Sequence, residues 1–190
     1  MAKKGDFCIV SDVDEIPRAS AIQEYIVSGQ YEVGVLALER FMYFLNYRNV
    51  TTDEPQLNAK ITPCDKLQTY NLNDIRFADK ENVLPTRRIE SAGWHFTMMG
   101  GLEKVIEKVK AFAHQEYAEP DKIDHERMEK LFREGKDVYS ANTTWETVEV
   151  DETFPQYVRE HEDELRAKGW IKSQEMGTVI KLEDWKQSRL

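Results

Sequence analysis

An α/β domain is the fold class this sequence predicts, and three observations carry the prediction. A short apolar run, "FCIV", ends abruptly in acids near the head of the chain. A dense stretch of β-branched and aromatic residues, "YEVGVLALERFMYFLNYRNVT", follows after one helical segment. The clearest amphipathic pattern comes later, with Leu102, Val105, Ile106 and Val109 recurring at i, i+3, i+4 and i+7. Early strands with interspersed and later helices indicate a mixed layer architecture.

Taken in order, Phe7 to Val10 reads as a buried strand that delivers Asp12, Asp14 and Glu15 to a sheet edge. Pro17 suits the first helical position and Gly29 a C-terminal stop, so Arg18 to Ser28 is predicted as a helix. The aromatic stretch is predicted as two strands, turning near Glu39 or Arg40. Residues 51–75, with Pro55 and Pro63 among several Asn and Asp, read as irregular connections. "RRIESAGWHF" is a further strand, and "MGG" breaks the chain before the amphipathic helix. Asp121 to Glu134 is predicted as a helix ending at Gly135, and another runs from Pro155 to Gly169. Weak periodicity makes residues 170–190 a tail to one domain spanning residues 1–169.

With 190 residues and 41% hydrophobic content, the chain has enough material for a substantial core. Its 35 acidic and 26 basic residues give a formal net charge of −9, with no long basic run, so no nucleic-acid partner is expected. An acidic surface takes an anionic substrate only where a metal or a local basic cluster inverts the sign. Cys8 and Cys64 sit in no CxxC or Cys/His ligand spacing, which argues against a disulfide framework and for a reducing compartment. No window approaches the roughly 20 apolar residues of a membrane helix. A soluble, cytoplasmic chain is the expectation.

Three stretches carry the chemistry: "SDVDEIPR" (11–18), "GWHFTMMGG" (93–101) and "FAHQEY" (112–117). In extended chain, residues two apart point the same way, so Asp12 and Asp14 are able to address one ligand. The plainer reading is a strand ending in a solvated acidic turn. Paired carboxylates suit a hard cation, because Mg²⁺ or Mn²⁺ binds through one or two carboxylates plus substrate phosphates. Together with "FMYFLNY", these stretches resemble the β-1,4-mannosyl-glycoprotein 4-β-N-acetylglucosaminyltransferases, glycosyltransferase family 17. The similarity runs from about residue 6 to about residue 117, with a fainter echo at "FPQYVREH".

The resemblance implies an A-type, Rossmann-like α/β fold with the metal at the strand ends. The implied reaction moves N-acetylglucosamine from its UDP donor to a glycan hydroxyl with inversion. It also implies the roles that follow. Asp14 is the first metal ligand, with Asp12 reaching the metal or the ribose and Glu15 orienting either. His114 is a candidate further ligand or a packed helix histidine. The base is Glu116, beside His114, or Glu103, at a helix start where the dipole alone also favours a carboxylate. Trp94 offers a face for a sugar ring or fills the core, and His95 follows it where donor or acceptor would sit. Gly100 and Gly101 admit a ligand close to the backbone or merely turn the chain. Arg87 and Arg88 meet phosphate or form a solvated pair. His125 and His161 read as structural or surface histidines.

Two other functions fit parts of the pattern. Haloacid-dehalogenase-like phosphatases also open on a hydrophobic strand and Asp-x-Asp, with the first Asp as nucleophile. Here Glu15-Ile16 stands where that family expects Thr or Val, and its later Lys and acidic pair are not evident. A catalytically inactive glycan-binding remnant is the second. Only six residues precede Phe7, whereas a βαβ unit takes about 30, so the expectation is a fold lacking its N-terminal nucleotide-binding strands. The sheet edge thereby left unpaired suits self-association.

Overall fold

A computed structural model describes residues 3, 5–29, 32–50, 55–81, 84–111, 125–138 and 143–173. The chain forms two compact units, residues 1–40 with 54–95 and residues 41–53 with 96–190. The architecture is mixed α/β, as the sequence predicts.

The first unit opens with β1, Phe7–Val10, which pairs antiparallel with β5, Lys60–Pro63. In the register Val10 faces Lys60 and Cys8 faces Thr62. β5 pairs in turn with β3, Val33–Met42, again antiparallel, so β1 stands at the end of the order β1-β5-β3. That position corrects the expectation of a buried first strand. Phe7 and Ile9 are exposed while Cys8 and Val10 are half-buried.

The acids after β1 form a turn, and Glu15–Pro17 is a short strand, β2, rather than a helix start. β2 pairs antiparallel with β6, Thr86–Thr97, matching Glu15 to His95, Ile16 to Trp94 and Pro17 to Gly93. The pairing depends on Gly93. Its φ is +147°, and a Cβ there would stand 2.2 Å from the Ile16 carbonyl oxygen. Helix α1, Ala19–Ser28, then runs to Gly29 as expected. Its Ala21 and Tyr25 pack with Leu36, Leu38, Ile61 and Ile89 in one core cluster.

Residues 51–75, read as irregular, contain β5, a 3-10 turn at Cys64–Gln68 and the start of α2, Leu72–Arg76. α2 has a capping box that its sequence spells out. Asn71 accepts from the N–H groups of Asn73 and Asp74 at 2.8 and 3.1 Å, and Asp74 accepts from the Asn71 N–H at 2.9 Å. A four-residue helix, α3 (Ala78–Glu81), follows. Ile75 and Ala78 close a second cluster with Val33 and Leu84.

In the second unit the chain turns after Met42 rather than at Glu39 or Arg40, with Tyr43 at φ +66°, and returns as β4, Tyr47–Asn49. β4 pairs antiparallel with β7, Trp145–Thr147, a strand that sequence patterning missed. Helix α4, Leu102–Ala111, buries the predicted Leu102, Val105, Ile106 and Val109. These residues join Phe44, Tyr47, Phe132 and Trp145 in the unit's core. α5 is described from His125 to Glu134, and Gly135 ends it as expected. The Tyr47 hydroxyl donates to the Gly135 carbonyl at 3.1 Å, and that of Tyr43 to the Lys136 carbonyl at 2.8 Å.

The helix expected from Pro155 to Gly169 is two, α6 (Gln156–Glu160) and α7 (Glu162–Ala167), broken at His161. Asn46 ties the segment beyond α7 to the core, donating to the Val148 and Lys172 carbonyls and accepting from the Lys172 N–H. Among the described residues, no helix is long and apolar enough to cross a membrane.

Candidate active site

The acidic turn between β1 and β2 holds the chemistry of the first unit. Two reciprocal bonds close it: the Glu15 N–H donates to the Asp12 carbonyl at 3.1 Å, and the Asp12 N–H donates to Glu15 Oε2 at 2.8 Å. Glu15 is 4% exposed, and its Oε1 is buried with no hydrogen-bond partner among the described residues. Burial pushes the Glu15 carboxyl above the ordinary range, against the pull of the Asp12 N–H and His95.

The strand register that sets Glu15 opposite His95 also brings Asp14 to that histidine, with Asp14 Oδ1 3.5 Å from His95 Nε2. Asp12 takes a different partner. Arg76, the last residue of α2, donates Nη1 to its Oδ1 at 2.9 Å and Nη2 to its Oδ2 at 2.7 Å. The two aspartates of Asp-x-Asp therefore have separate roles, one in an arginine fork and one beside an imidazole. Nearby Lys60, buried in β5, has its Nζ 3.1 Å from Asp79 Oδ1 and also bonds the Leu57 carbonyl. Desolvation lowers the Lys60 pKa, and Asp79 opposes the shift.

Two donors, Asp14 and His95, suit a divalent cation in kind. A carboxylate and an imidazole are both Mn²⁺ ligands, and donors each about 2.1–2.2 Å from one cation stand roughly 3–3.5 Å apart when adjacent. Among the described residues, no three His, Cys, Asp or Glu side chains converge on one point. A site completed by phosphates and waters needs only the two.

The other predicted residues fall as follows. Trp94 is buried, with the Arg18 guanidinium 4.6 Å from its ring centroid, so the ring packs where sugar stacking was one expectation. Arg87 pairs with Glu24 at 2.9 Å and Arg88 with Glu90 at 2.8 Å, both on the surface. In the second unit, Gly100 and Gly101 have φ of +94° and +85° and line a small pocket with Tyr43, Phe44, Phe132 and Trp170. Glu103, in the first turn of α4, is exposed with its Oε1 3.4 Å from His125 Nε2. His114 and Glu116 lie outside the described residues. Sequence reasoning missed Arg76, Lys60 and Asp79. None of these had a local signal for its partner; Arg76, the basic last residue of a capped helix, reads only as a helix end.

Asp14 and His95 thus form a carboxylate–imidazole pair on a clamped turn of a mixed α/β scaffold. The family can be stated too: the chain matches the model of glycosyltransferase family 17 over residues 1–148 and belongs to that family. No curated protein and no solved structure matches it.

Proposed function

We propose that this chain is a metal-dependent inverting glycosyltransferase that moves N-acetylglucosamine, or a related sugar, from a UDP-sugar to a glycan hydroxyl. The observation that carries the reading is the Asp14–His95 contact at 3.5 Å, on the turn that follows β1, in a member of a glycosyltransferase family. When bound, a Mn²⁺ or Mg²⁺ ion supplies Lewis-acid neutralisation of the departing diphosphate. Asp14 and His95 would hold that ion, and Glu15 closes the turn that carries Asp14. The acceptor hydroxyl loses its proton to a carboxylate, Glu116 in the first assignment and Glu103 in the rival one. The proposal extends to an A-type, Rossmann-like fold, whose nucleotide-binding half needs parallel strands. The strand pairs with a defined register here are antiparallel, and a crystal structure with UDP bound tests that part.

Family membership favours the transferase over the phosphatase reading. The test is UDP release from UDP-N-acetylglucosamine with Mn²⁺, comparing the full chain with Asp14→Asn. Release that needs Mn²⁺ and falls at least ~10²-fold in the variant supports the proposal. Equal release from both, or hydrolysis of p-nitrophenyl phosphate in its place, overturns it. Glu116→Gln and Glu103→Gln in the same assay assign the base to whichever variant loses turnover at unchanged donor binding.

A further inference from the structure

Arg76 is joined to the acidic turn across 64 residues of sequence, and its fork occupies both oxygens of Asp12. The two side chains are 30% and 44% exposed, so as a surface ion pair the fork adds little stability. Its geometry matters more than its energy. A planar guanidinium meeting a carboxylate through two parallel bonds fixes that carboxylate in direction as well as distance.

The helix carrying Arg76 is anchored by its capping box, and the turn carrying Asp12 is closed by the two reciprocal bonds to Glu15. Asp12 is thus held by its side chain from one direction and by its backbone from another. Val13, between the two aspartates, is fully exposed, and Asp14 emerges toward His95.

We propose that Arg76 is a positioning residue for the cation site. By engaging both Asp12 oxygens it keeps Asp12 from coordinating the cation, and it sets the turn so that Asp14 and His95 present the two donors. This rests on the metal reading above. Lysine, with a single-point ammonium, reproduces the charge but not the fork.

The test uses the full chain with Arg76→Gln and Arg76→Lys. Three quantities are read: Mn²⁺ binding by calorimetry, hydrogen exchange of the peptide covering residues 11–15, and thermal unfolding. Groups that orient ligands typically change metal affinity 10–100-fold when removed. The expected result is at least ~10-fold weaker Mn²⁺ binding in Arg76→Gln, with faster exchange in the turn and little change in melting temperature. Arg76→Lys should fall between the variant and the wild type. Unchanged Mn²⁺ affinity, or tighter binding because Asp12 is released to coordinate, overturns the inference. If the wild type itself binds no Mn²⁺, the metal reading fails. Turn exchange then decides whether Arg76 clamps the turn: faster in Arg76→Gln if it does, unchanged if it does not.

Discussion

Tyr25 shows how burial sets a residue's behaviour. Its ring is 3% exposed, and desolvation, helped by the Glu32 carboxylate, pushes the phenol up to about 12. The native state therefore keeps a proton that the unfolded chain loses near pH 10, so stability falls as pH rises from about 10 to about 12. Two pH units correspond to about 3 kcal/mol. Tyr25→Phe removes the titration along with the hydroxyl's hydrogen bonds, among them the 3.4 Å bond to the Glu32 carbonyl. Urea unfolding at pH 9 and pH 11.5 is expected to show the wild type losing stability relative to this variant; parallel behaviour refutes the assignment. At this scale the candidate site was half legible. Asp14 was readable because an apolar run ending in Asp-x-Asp is a local signal. Arg76 was not, because its partner lies 64 residues away and nothing local distinguishes a forked arginine from a solvated one. His95 was flagged as a substrate contact, but its approach to Asp14 depends on the β2–β6 register, which no single stretch encodes.

Among elements, those that advertise themselves by periodicity or stop signals were legible: α1, β6, α4 and the end of α5. The misread ones are short. β2 has three residues and contains Pro17, which has no N–H for a ladder and so reads as a helix start. β7 also has three residues, too few for alternation to register. The capping box of α2 was written in "NLND", but the surrounding Asn and Pro content masked it. The β2–β6 pair, which brings Glu15 opposite His95, makes the strongest demand on one position. Gly93→Ala puts a methyl group 2.2 Å from the Ile16 carbonyl oxygen at a φ of +147°. Overpacking and an unfavourable backbone region each cost about 1–3 kcal/mol, so a loss of about 3 kcal/mol is expected from the urea midpoint at unchanged m-value. A loss below about 1 kcal/mol would mean that the pair is not held at this spacing.

For the whole molecule, the sequence specified the fold class and, through motif order, the family; it did not specify which strands are neighbours. The order β1-β5-β3 depends on contacts between segments 25 to 56 residues apart, and periodicity is blind to them. The outer position of β1 has a consequence for the molecule in solution. Phe7 and Ile9 are 37% and 40% exposed on a strand whose four residues include no charge, so the edge is suited to pairing with the same edge of a second copy. Magnitudes set the strength. Fully burying such a side chain is worth about 1.5–3 kcal/mol, so the exposed third or so of four side chains contributes roughly 2–4 kcal/mol. A few main-chain hydrogen bonds add about 1 kcal/mol each. Against these stand the entropy of association and the repulsion of two chains of net charge −9. Even against the smallest association cost, about 4 kcal/mol, the balance is weak association, with Kd of about 1 mM or weaker. Screening shortens the repulsion from about 30 Å at 0.01 M salt to about 8 Å at 0.15 M. Association should therefore strengthen with ionic strength, opposite to a dimer held by ion pairs. Sedimentation velocity at 0.5 mM protein is expected to show a dimer fraction that grows with salt and disappears in Ile9→Lys. A fraction that shrinks with salt, or survives that substitution, would rule out pairing through β1.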